Sequence, residues 1–156
     1  MKEGYFYYVC FTLYKMNYKV IEQSETSSCL IQLCDDGVVR VMGKSNQTLD
    51  EEQMRKNIEI YNILIKGELY SFLYYPEDDS FVFGSDAISY AKSNQNSFPK
   101  LGIAVVVNSL AHKLVANFYL KISPQKSPFK IFNTMGGAEA WCHELVSKHY
   151  NKINLK

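Results

Sequence analysis

Residues Leu101–Val107 read LGIAVVV, seven consecutive positions without a polar side chain. A run this short is a strand by length, and a strand with no polar side needs cover on both faces. That requirement points to a parallel sheet with helices packed above and below it, an α/β arrangement. The remainder of the chain supplies elements that fit.

Cys29, Ile31 and Leu33 alternate with Ser28, Leu30 and Gln32, and after Asp36-Gly37 comes a second β-rich run, Val38–Met42. Two such runs about an Asp-Gly pair predict a hairpin, here with a type I′ turn. Thr48 and Glu51 have the spacing of a capping box, in which each side chain satisfies amides at a helix start. The helix that follows carries a stripe of Met54, Ile58, Tyr61 and Ile65 and stops at Gly67. Leu69–Tyr75 is a strand, and Gly84-Ser85-Asp86 opens a short helix from Ala87 to about Ser93. After the apolar run, Asn108 or Ser109 caps a helix with Leu110, Leu114, Asn117, Phe118 and Lys121 on one face. Ser123–Pro128 is a loop and Phe129–Phe132 a short strand. Asn133 or Thr134 caps a last helix, with Ala138, Trp141, Cys142, Leu145 and His149 on one side and Trp141 expected to be largely buried. The expected fold is therefore a mixed β-sheet opened by a β-hairpin, with about four helices and right-handed crossovers.

Composition narrows the function classes. The net charge is +1, and of 17 basic residues only Arg40 and Arg55 are arginine, the side chain best suited to reading phosphates and base edges. Nucleic-acid recognition is not expected. Cys10, Cys29, Cys34 and Cys142 show neither C-x-x-C nor zinc-finger spacing, which suits reduced, mostly buried thiols in a cytoplasmic protein. Tyr5–Leu13 (YFYYVCFTL) is about half the ~20 residues of a membrane span and lacks the features of a signal peptide. It reads either as an added strand or as a start-site artefact ahead of Met16. Residues 1–16 are accordingly set apart as an extension, 17–150 as the domain and 151–156 as a tail.

No nucleophile elbow, Walker A, H-E-x-x-H or G-x-G-x-x-G motif occurs, and His112, His143 and His149 show no spacing that suggests catalysis. The expectation is a protein that is not an enzyme and needs no metal or cofactor. Gly136-Gly137 reads as close packing rather than as an anion site, and Glu77, Asp78 and Asp79 as a solvated acidic loop. Charge placement says more. Asp35–Asp86 holds eleven acids and five bases, whereas Lys100–Lys130 holds five lysines and no acid. One edge should be positive, fitted to an acidic partner, and the asymmetry permits a homodimer.

The order of elements resembles the STAS domain, the fold of bacterial anti-sigma-factor antagonists, and within it the SpoIIAA-like, STAS/SEC14-labelled group. The resemblance rests on CLIQLCDDGVVRVMGK, IAVVVNSLAHKLVANFYLKI and SPFKIFNTMGGAEAWCHEL, and spans about Tyr18 to Tyr150. It implies a non-catalytic bacterial module that regulates through an unknown protein partner, or alternatively a carrier or sensor of a small apolar, lipid-like molecule. A phosphorylatable antagonist carries a D-S-x-G-like switch, and the corresponding YPEDDSFVFGSDAIS departs from it. Ser85 is the candidate phospho-switch, preferred over Ser80 because three acids precede Ser80. Phe81, Phe83, Lys113, Asn117, Phe118 and Lys121 form the candidate surface for a partner or an apolar ligand.

Overall fold

The structure, a computed structural model, describes residues 17–122 and 126–154, without the side chains of 118–120, 122 and 154. The extension 1–16 thus lies outside the described residues, as does the Phe118 side chain. The elements are β1 (Val20–Glu25), β2 (Cys29–Cys34), β3 (Val38–Gly43), β4 (Thr48–Leu49), α1 (Glu51–Ile65), β5 (Ser71–Pro76), β6 (Val82–Phe83), α2 (Ser85–Ser93), β7 (Gly102–Val106), α3 (Leu110–Ile122), β8 (Phe129–Phe132) and α4 (Met135–Asn154). The α/β fold with a hairpin-opened mixed sheet and four helices is as expected. Six strands run in the order β1-β2-β3-β5-β7-β8, with β4 and β6 paired separately. β1-β2 and β2-β3 are antiparallel, and every pair from β3 to β8 is parallel.

The parallel strands follow one another in sequence order without reversal. Crossovers of one hand then put α1, α2 and α3 on the same face of the sheet. Side-chain parity agrees. Ile31, Val39, Val41 and Phe72 pack with Ile58, Tyr61, Leu64 and Ile65 of α1 on one face, while Val105 and Val107 meet Ala116 of α3 beside them. The opposite face, with Val38, Leu73, Ala104 and Val106, is covered by Ala138 and Cys142 of α4. Trp141 sits at the rim of that contact, only half-buried, its ring 5.8 Å from that of Phe132.

Local chemistry departs from expectation in three places. The hairpin loop is Asp35-Asp36-Gly37 and only Gly37 has positive φ, +80°. With Gly37 N–H bonded to the Cys34 carbonyl at 3.3 Å, this is a type I turn closed by a left-handed glycine, not type I′. At α1 the cap is Asp50, whose carboxylate accepts from the Gln53 amide at 2.8 Å. Thr48 is drawn away into β4, where it pairs with Val82. Finally, β1 carries no apolar alternation and no buried residue, which is why VIEQSE gives no strand signal. Its charges suit an exposed edge.

Candidate functional site

Between the helices of the three-helix face and the sheet lies a cavity of about 120 Å³. Met54 and Ile58 of α1, Ile88 and Ala91 of α2, and Val115 and Ala116 of α3 form its roof. Tyr74, Ile103, Val105 and Phe129 form its floor, and Phe83 one wall. The void sits where the core cluster under α1 and α2 ends and the smaller cluster under α3 begins. α2 is nine residues long, with Ala87 its one fully buried side chain, so it cannot close the seam.

Polar groups gather at one end. Asn94, Gln95, Lys100 and Ser127 are the hydrophilic side chains among those that line the cavity, besides the Tyr74 hydroxyl. Lys100 is half-buried, and its ammonium donates to the carbonyls of Gln95 and of Phe98 (3.1 Å) while sitting 4.0 Å from the Phe98 ring centroid. Burial pushes its pKa below the ordinary lysine value. Gln95 also accepts from the backbone amide of Lys126 at 3.1 Å, tying the end of α2 to the segment before β8.

The sequence-predicted residues divide around this cavity. Phe83 lines it. Phe81 is buried at 2% exposure and stands edge-on to Phe83, with ring centroids 4.9 Å apart. Its ring packs so closely on β3 that a Cβ at Gly43 would come within 2.6 Å of it. Lys113 and Lys121 are exposed on α3 and Asn117 is half-buried there. The face of α3 carrying Leu110 and Leu114 points to solvent, at 72% and 61% exposed, because His112, Val115 and Ala116 take the inner side. His112 donates its Nε2 proton to the Phe81 carbonyl at 2.7 Å and so locks α3 to the segment before β6. Ser109 caps this helix through the His112 amide.

Ser85 is exposed as the first residue of α2, and Gly84 is the cap. The Asp86 carboxylate accepts from the Ala87 amide at 2.9 Å and from the Glu51 amide at 3.1 Å, bridging the starts of α2 and α1. A phosphate on Ser85 would therefore meet a carboxylate already holding these amides. Ser80 is bonded to Asp78 and to the Asn46 amide, and Ser45 ties Glu77 to Asp78. The acidic loop is thus internally knitted.

Sequence reasoning passed over Lys100 and the α1 and α2 residues of the cavity. Met54 and Ile58 were legible as an apolar stripe, but the void above the sheet needs seven separate elements to meet.

Among the described residues no group of three or more His, Cys, Asp or Glu side chains is placed to hold a metal ion, and no helix is long and apolar enough to cross a membrane. Cys29, Cys34 and Cys142 are buried free thiols, and burial raises the Cys142 pKa to about 12. The chain is similar to an uncharacterised DUF3478-family protein with a SpoIIAA-like fold from Shewanella loihica PV-4. The two share 11% identity at a TM-score of 0.43, over 80% of this chain and 93% of that one. No curated protein matches the chain. The model for a domain of unknown function, DUF7793, matches residues 32–146, which run from within β2 into α4 and take in the cavity; the chain belongs to that family.

Proposed function

We propose that the protein is a non-catalytic, STAS-like binding module whose ligand is a small, largely apolar molecule held between α1, α2, α3 and the sheet. The cavity carries this reading. Protein interiors are packed with few voids larger than a water molecule. A void of about 120 Å³, lined by Ile, Val, Phe and Met, holds a molecule about the size of benzene. The wall is apolar except at the Lys100 end, which suits one oriented ligand rather than bulk water. Titration of 15N-labelled protein with 1-hexanol should shift the amides of Ile58, Ala91 and Val115. Ala91→Leu should remove that response by filling the space, with the fold retained. A wild-type spectrum unmoved by hexanol would rule the reading out.

A second reading is protein contact through α3, as the sequence resemblance implies. It is favoured by the exposure of Leu110 and Leu114 beside Lys113. Two leucines held in water next to lysines match an acidic, partly apolar partner. The two readings are compatible, since Val115 and Ala116 on the inner side of α3 touch the cavity and would pass its occupancy to the outer side.

A further inference from the structure

We infer that the ligand carries a carboxylate, and that Lys100 is the residue that receives it. This rests on the cavity being a ligand site, and it adds the ligand's chemical class and orientation. Three observations bear on it.

The first is the solitude of the charge. Lys100 is the one charged side chain among the described residues lining the cavity, and none of them is acidic. Arg40, the fully buried cation, is held by the carboxylates of Asp36 and Glu139. Lys100 has no carboxylate within ion-pair distance among the described residues, only two backbone carbonyls and a ring face. A buried ammonium normally finds a counter-ion, because taking the charge out of water is costly without one.

The second is unused hydrogen-bonding capacity. An ammonium has three N–H donors, and carbonyls take two here. The third has no acceptor among the described residues, and Lys100 itself lines the cavity. The two carbonyls orient the amine without neutralising it.

The third is the field around that end. From Lys100 to Lys130 the chain has five lysines and no acid. Gln95 joins the Lys126 backbone to the same end of the cavity. No acid in that segment opposes an anion entering there, and the apolar remainder of the molecule then lies against Ile103, Val105 and Phe129.

The ligand class is thus a short-chain or small aromatic carboxylic acid, ionised at neutral pH. The matched probes are hexanoate and 1-hexanol, which share an apolar body and differ in the head group. At pH 7 and low salt, hexanoate should bind the wild-type protein at least tenfold more tightly than hexanol, as read by 15N NMR titration. Lys100→Met should bring the two to parity, and Lys100→Arg should keep most of the preference. Equal binding of both probes by the wild type would overturn the carboxylate assignment and leave the apolar cavity standing. Retained preference in Lys100→Met would also overturn it, by placing the receptor elsewhere. If neither probe binds, the cavity reading and this inference fall together.

Discussion

Among the described residues Arg40 is the bulkiest side chain withdrawn from solvent, at 1% exposed, and it sits on the α4 face of β3 where its neighbours are apolar. Its fork bonds both oxygens of Asp36, at 3.0 and 2.8 Å, and reaches Glu139 of α4 at 3.2 Å. The Tyr18 ring stacks on the guanidinium with its centroid 3.4 Å away. Asp36 accepts in addition from His143 at 2.8 Å. Burial alone would raise the Asp36 pKa, but the bonds from Arg40 and His143 outweigh it and hold the carboxyl below the ordinary value. A carboxyl whose pKa is lowered by folding stabilises the fold above its unfolded-state value and loses that contribution as pH falls through the folded one. Asp36→Asn should therefore cost about 3 kcal/mol at pH 7, since it strips a buried cation of its main partner. The difference from wild type should narrow from about pH 4 downward, where the unfolded chain's carboxyl takes up a proton before the native one does. Urea denaturation at pH 7 and at pH 3 measures both. A gap that stays constant across that range would show that Asp36 acts by shape alone. The sequence offered Arg40 only as one of two arginines; its burial and both its carboxylates follow from the sheet bringing α4 over β3, which no local pattern encodes.

The hairpin from β2 to β3 illustrates what was legible at the level of elements. Alternation placed Cys29, Ile31 and Leu33 on one face, and all three are buried in the cluster under α1. The Asp-Gly pair marked the reversal correctly, but its turn type depended on a third loop residue, Asp35, that the two-residue rule does not consider. Gly37 is constrained twice: its φ of +80° disfavours side chains, and a Cβ there would come within 2.8 Å of Val146 on α4. Gly37→Val should cost roughly 2–4 kcal/mol and lower the melting temperature measured by circular dichroism. Unchanged melting would mean the loop and α4 can part without loss. The cap of α1 was misplaced for a related reason. Thr48-x-x-Glu51 and Asp50-x-x-Gln53 both offer cap chemistry, and pairing with β6 decides between them. The spacing on α3 gave a shared face without saying where it points; Leu110 and Leu114 face outward because Ala116 and His112 allow closer approach to the sheet than they would. Lys100 was legible only as the first lysine of a basic stretch. Its place at the cavity arises from the turn and bend that follow α2 at residues 94–98, not from periodicity.

Over the whole molecule, the two faces of the sheet are covered in different ways. Three helices roof one side in separate contacts and leave a void between them, whereas α4 seals the other alone through Ala138, Cys142 and the Ser71 hydroxyl, which donates to the Cys142 carbonyl at 3.1 Å. Both cores lie between Cys29 and Cys142. A chain of residues 17–154 should accordingly unfold in one cooperative urea transition, and a broad, non-cooperative one would make the first sixteen residues part of the fold. The single cover also bears on how the protein is made. Val38, Leu73, Ala104 and Val106 stand ready once β7 is in place, yet their lid is the last described helix, twenty residues long. At 5–20 residues per second, a ribosome needs about 1–4 s to synthesise those residues alone. Through that interval the nascent chain presents a bare apolar sheet, a surface prone to aggregation that the finished protein no longer exposes.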